Sequence, residues 1–259
     1  MNTLWIFGDS FSWEHNIRFK TFPESKTFDD QVWMYIQEHL DGKMFDCWGK
    51  QLADGLGMNY INHASFQTNI HKIENLNLSG GPTNDNNLIL LSHLSKNFKK
   101  GDIVILGFTD ITRFDYISPK GNTTIYSSSD ENTHFENWEK KFITQEVIQR
   151  DENPYYKHKV LNSLKVFEHL SDTVGFDLWY WDWSGCFDKP VYKKEIDNKR
   201  WIFFHAHPNY VDYGKMIWND FKSGPICWET DYKNPDSHMG KIGNTIHAKV
   251  LLDFLKKSR

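Results

Sequence analysis

Two short stretches at opposite ends of the chain carry residue types that can do chemistry together. Near the start, "LWIFGDSFSW" runs from four mostly apolar residues into Gly8-Asp9-Ser10; near the end, "NPDSHMGKIGNTIHAKVLLDFL" holds Asp236 and His238 just ahead of an amphipathic run. A serine hydroxyl becomes a nucleophile when an imidazole takes its proton, and the imidazole needs an acid to hold its tautomer. Ser10, His238 and Asp236 supply those three types. Gly-Asp-Ser by itself also makes an ordinary turn or helix cap. A serine at one end and Asp-x-His at the other is a far rarer pairing than either half.

For these residues to meet, the chain must bring both ends to one edge of a scaffold. Residues 3–8 read as a buried strand, 28–42 as a helix, 47–57 as a short helix with a glycine end, and 58–64 as a strand. A helix over 83–98, a strand over 103–108, a helix over 156–171, a strand over 176–183 and a last helix over 240–257 continue the alternation. Strands alternating with amphipathic helices imply right-handed crossovers and a parallel sheet covered on both faces. Ligands of such sheets bind at the carboxyl ends of the strands, where Ser10 falls.

Three segments, about 13–45, 118–155 and 184–228, interrupt this alternation and read as insertions in a single domain spanning 1–259. The middle one opens with a turn and a Ser/Asn/Thr cluster, as a surface excursion does.

Composition narrows the classes of function. Thirty basic residues against 34 acidic ones give a net charge of −4, with no basic block to neutralise a row of phosphates, so nucleic acid is not an expected partner. No stretch approaches a membrane span, and the first apolar run is too short for a secretory signal; neither a membrane nor export is expected, and the assignment is cytoplasmic. Cys47, Cys186 and Cys227 are odd in number and widely spaced, as in a reduced compartment. Eleven tryptophans in a chain of mean hydropathy −0.63 imply that some indoles reach the surface, where they can stack on sugars.

Taken together, "FGDSFSW", "GGPTND" opening a helix, "GFTD" ending a strand and "DSHMGKIGNTIHA" before the last helix resemble, in the right order, the SGNH hydrolases, also called GDSL esterases and lipases. The likeness covers the skeleton of most of the chain and leaves out the three insertions. It implies a flavodoxin-like three-layer α/β/α sandwich with a central parallel sheet and lid-like insertions. In it Ser10 attacks an ester carbonyl, His238 is the base, Asp236 orients it, and no cofactor is needed. Asp236 stands two residues before His238 where many members leave three, and Asp231 is the fallback acid.

The family's oxyanion hole uses the serine amide, a glycine amide and an asparagine side chain. Each donor lost typically costs about a hundredfold to a thousandfold in rate. After the second strand, Gln67 stands where the glycine is usually written; Gly81, with Gly80 next, is the expected donor, extra residues having been inserted before it. The family's Gly-x-Asn-Asp reads Gly107-Phe108-Thr109-Asp110 here, so a threonine hydroxyl replaces the amide donor, or Asn84 swings in to substitute.

Three further features have two readings each. Arg113 faces the cleft as a fork for a carboxylate or an ester oxygen, or it bridges to Asp110 or Asp115. His205 and His207 share one face of a strand and are polar decoration more readily than metal ligands, since serine hydrolysis needs no metal. Trp179, Trp181 and Trp183, at period two, pack a core, while Trp183 and Trp13 could still edge the cleft. The expected activity is hydrolysis of short O-acyl esters, such as O-acetyl groups on a glycan or a small molecule. Transfer of the acyl group to another alcohol, or a binding module that has lost catalysis, are the alternatives.

Overall fold

The computed structural model describes residues 1–8, 46–64, 70–73, 76–79, 83–118, 121–125, 136–182, 187, 192, 196, 199–203 and 241–258. In chain order the elements are β1 (Thr3–Phe7), α1 (Trp48–Leu56), β2 (Asn59–Asn62), β3 (Ile70–Ile73), β4 (Leu76–Ser79), α2 (Asn84–Leu94), β5 (Ile103–Phe108), β6 (Phe114–Ser118), β7 (Gly121–Ile125), α3 (Asn137–Glu152), α4 (Pro154–Val174), β8 (Asp177–Asp182), β9 (Trp201–Phe203) and α5 (Lys241–Ser258).

Five strands form one sheet in the order β2-β1-β5-β8-β9, and every neighbouring pair is parallel. Numbered within the sheet, that order is 2-1-3-4-5, the flavodoxin-like winding. Alternate residues of the same strands feed two cores. Leu4, Ile6, Ile103, Ile105, Trp179 and Trp181 pack against α1 and α5. Trp5, Phe7, Val104, Leu106, Leu178 and Tyr180 pack against α2 and α4. Helices therefore cover both faces, and the chain is a three-layer α/β/α sandwich. Burial on both faces explains why the central strands read as near-continuous apolar runs.

Local signals set the element ends. Gly57 ends α1 at φ 64°, a conformation that favours glycine, and its N–H returns to the last turn. Thr83 caps α2 by accepting from the Asn86 N–H, and Asn153 followed by Pro154 starts α4. Trp179 and Trp181 are core residues on one face of β8: Trp179 packs on Phe254, and Trp181 on Trp48 and His247.

The structure adds detail to the sequence reading in three places. Residues inserted ahead of α2 include an antiparallel hairpin, β3 with β4. Within the excursion at 118–155 the described residues include the end of the β6–β7 hairpin and the sixteen-residue α3. Within the stretch 184–228, β9 pairs with β8 as the sheet's fifth strand, and Phe187, Tyr192, Ile196 and Trp201 join the core. The expected helix at 28–42 and the insertion at 13–45 lie outside the described residues. Among the described residues, no helix is long and apolar enough to cross a membrane.

Candidate functional site

In a sheet wound 2-1-3-4-5 the chain reverses its direction of travel between β1 and β5, and the crevice outside the carboxyl ends of those two strands is where ligands bind. Phe7 is in register with Leu106, so the turn after β1 and the end of β5 share that edge. Gly8, buried, takes φ 151° directly after Phe7, a backbone that favours glycine, and so redirects the chain at the crevice.

Thr109 occupies the matching position after β5. Its backbone is held by the side chain of Asn84: the Thr109 N–H donates to Asn84 Oδ1 at 3.0 Å, and Asn84 Nδ2 donates to the Thr109 carbonyl at 3.0 Å. This two-way amide clamp ties the first turn of α2 to the end of β5. Asn84 is thus a positioning group with one Nδ2 proton left to give.

The Thr109 side chain is fully buried, and its Oγ1 has no hydrogen-bond partner. A buried hydroxyl left in that state costs stability, and such groups call for an explanation such as an absent ligand. Here the hydroxyl stands at the switch point of the sheet.

Beyond Thr109 the chain turns tightly. Asp110 Oδ1 accepts from both the N–H and the hydroxyl of Thr112 at 2.9 Å, and the Arg113 N–H closes the turn on the Asp110 carbonyl. Arg113 then lines a cleft with Asn84, Asp85, Ile111, Arg150, Tyr156 and Lys159. Asn84 belongs to both the clamp and the cleft wall, so the cleft adjoins the end of β5.

Arg150 is held from several sides. Its guanidinium lies 4.7 Å from the Phe114 ring and 4.8 Å from that of Tyr156, while its Nε donates to Glu146 at 2.9 Å. Tyr156 donates to the same carboxylate oxygen at 3.1 Å. Burial, and then this bond to Glu146, raise the Tyr156 hydroxyl above the ordinary phenol range, so it stays a neutral donor.

Of the residues singled out in the sequence, Thr109, Asn84 and Arg113 are brought to one region. Ser10, Trp13, Gly80, Gly81, Asp231, Asp236 and His238 lie outside the described residues, as do Gln67, Trp183, His205 and His207. Among the described residues, no three His, Cys, Asp or Glu side chains converge as a metal site. Arg150, Tyr156 and Lys159 carry no motif; their only sequence signal is that α3 and α4 come after β5, the strand that runs out into Thr109. Asp182 was also missed. It is buried at the carboxyl end of β8, where its Oδ2 accepts from the Phe187 N–H at 2.8 Å.

No family model matches the sequence, and no curated protein matches it at a significant level. Among solved structures, the chain is similar to a carbohydrate esterase whose active site is described as displaying divergent catalytic and non-catalytic binding functions. The two are 13% identical with a TM-score of 0.39, over 99% of this chain and 65% of that one. This chain thus spans just under two thirds of the other's length. A likeness that loose aligns no site residue with another.

Proposed function

We propose that the chain is an SGNH-type serine ester hydrolase, one domain with insertions, acting on short O-acyl esters such as glycan O-acetyl groups. The observation that carries this reading is the buried, unpartnered Thr109 hydroxyl at the switch point, just past the strand next to the one that leads into Gly8-Asp9-Ser10. A hydroxyl fixed there by a clamp on its own backbone suits a donor aimed at developing negative charge, because a preorganised donor need not reorient during reaction.

In the proposed reaction, Ser10 Oγ attacks the ester carbonyl while its proton passes to His238, held by Asp236. The carbonyl oxygen becomes an oxyanion that accepts from the amides of Ser10 and Gly81 and from the Thr109 hydroxyl. Collapse breaks the ester C–O bond, and His238 gives its proton to the leaving alcohol. Water then attacks the acyl-serine with His238 as base, releasing the acid and restoring Ser10. An alcohol in place of that water would make the protein an acyltransferase on the same residues.

A second reading follows from the same position. A threonine where the family has an asparagine is the substitution expected in a binding module that has lost catalysis. The test is hydrolysis of p-nitrophenyl acetate and octanoate by the wild type and Ser10→Ala, together with labelling by a fluorophosphonate probe. The esterase reading expects acetate to be the better substrate, labelling at Ser10, and a loss of at least about a thousandfold in the mutant. Equal rates and no labelling above the Ser10→Ala control would leave the binding module.

A further inference from the structure

The helix α3 turns an apolar face to solvent that the proposed reaction does not use. Trp138 is 61% exposed, and Phe142 and Ile148 are close to half exposed; Tyr155, three residues past the end of α3, is 64% exposed. An exposed cluster of large apolar side chains, aromatic rings among them, marks a surface that meets another protein. Phe142 also packs on the Tyr116 ring, with centroids 5.9 Å apart, which carries the apolar surface onto the β6–β7 hairpin.

The order of side chains along that face selects the partner. Trp138, Lys141, Gln145, Ile148 and Glu152 recur at alternating steps of three and four, the spacing of a seam between two helices, and all five are exposed. Taken from both ends, the seam is complementary to itself. In an antiparallel pair centred between Gln145 and Ile148, these two face each other across the axis, Lys141 meets Glu152 of the second copy, and Trp138 reaches the end where that copy's Tyr155 stands. A two-fold axis repeats each contact, as an isologous interface requires. A parallel pair would instead set Lys141 against Lys141 and Glu152 against Glu152. Antiparallel packing also puts opposite helix ends side by side: Glu152 sits at the negative end of its own helix and gains a cation there.

We propose that α3 is a dimerisation helix, pairing antiparallel with α3 of a second copy of this chain through Trp138, Ile148 and reciprocal Lys141–Glu152 pairs. The pairing does not depend on the esterase reading. A contact about 24 Å long lies at the low end of the usual interface size, so a dissociation constant in the micromolar range is expected.

Sedimentation velocity of the full chain from about 1 to about 200 μM tests it. The 30.7 kDa monomer is expected to give way to a species of twice that mass as concentration rises. Trp138→Glu should keep the melting temperature, the side chain being exposed, and weaken the dimer at least about tenfold. Lys141→Glu and Glu152→Lys, taken singly, should each weaken it about tenfold, because two attractions become two repulsions. Mixed in equal amounts, the two variants should recover most of the wild-type affinity, since each chain then meets the opposite sign at both positions. Should Trp138→Glu fail to fold, the two charge variants, both on exposed side chains, decide the matter alone. A chain that stays monomeric at every concentration overturns the dimer and leaves the face to a partner of another kind. A dimer indifferent to Trp138→Glu overturns the use of this face, and a mixture no tighter than either variant alone overturns the antiparallel pairing.

Discussion

The two ends of β5 are finished in opposite ways. At its amino end Asp102 is buried with both oxygens in use: Oδ1 accepts from the Thr3 N–H at 2.9 Å, and Oδ2 accepts from Trp5 Nε1 and the Lys99 N–H, each at 3.1 Å. At its carboxyl end Thr109 is equally buried, yet its hydroxyl has no partner. The first arrangement ties β1 and the turn before β5 together and leaves those three donors satisfied. The second leaves a donor waiting. In a protein of marginal stability, an unsatisfied group is tolerated where something other than stability is selected. The amino end should therefore answer to stability, and the carboxyl end to activity.

Breaking the amino end should have the largest energetic effect. Asp102→Ala strands three donors, two of them in the sheet's first strand, and should cost on the order of 3–4 kcal/mol. In a chain of this size that is roughly a 10 °C fall in melting temperature. Asp102→Asn should recover little, because either orientation of the amide turns its NH2 toward an N–H donor. Differential scanning calorimetry measures the loss. The rate per folded molecule should be unchanged, and a fall in kcat at constant fold would erase the contrast between the ends.

The carboxyl end should give the reverse signature. Thr109→Val keeps the shape and removes the hydroxyl, so kcat toward a short ester should drop about a hundredfold. Stability should hold or rise by about 1 kcal/mol, since a buried unsatisfied group has gone. Measuring kcat and chemical denaturation on the same preparation checks both halves. An unchanged kcat would remove Thr109 from the oxyanion hole and shift weight to the binding-module reading.

How much of this contrast was legible in the sequence differs with the type of signal. The central strands and their helices could be read because burial on two faces leaves unbroken apolar runs, and Gly57 and the Asn153-Pro154 pair mark element boundaries. The helix α3 could not. Its inward stripe is Glu139, Ile143 and Val147, with an acid at a buried position, while Trp138 and Phe142 face out, so the usual amphipathic pattern is absent. Glu139 is inside for a reason that only the structure gives: it closes a capping box with Glu136 and accepts from the Tyr116 hydroxyl. Strand β9 is only three residues long and lies directly before the stretch read as a strand carrying His205 and His207, too short a run to show a period or its place in the sheet. Thr109 was visible only as a departure from a motif. That its hydroxyl is buried and unpartnered, and that Arg150 and Lys159 come to stand beside Arg113, are matters of tertiary placement that no spacing encodes.

A third buried polar group sharpens the contrast, because it is titratable and belongs to neither end. His247 on α5 packs edge-on to Trp48, with ring centroids 4.9 Å apart, and lies 4.4 Å from Trp181. Burial disfavours its charged form and pushes its pKa down to about 3 from the ordinary 6.5. The unfolded chain then takes up a proton at that residue below pH 6.5 while the native protein does not, so stability falls as pH falls across the window from 6.5 to about 3. The contribution is about 1.4 kcal/mol per pH unit, or about 2 kcal/mol by pH 5. Denaturation midpoints at pH 7, 6 and 5 should show that slope in the wild type, and His247→Phe should flatten it by about one proton whatever its own effect on stability. The pH dependence of kcat for the fraction that remains folded should be the same in both proteins, because His247 sits in the core under the sheet. If His247→Phe moved the kinetic pKa and left the stability slope alone, that histidine would belong with the site and not with the core.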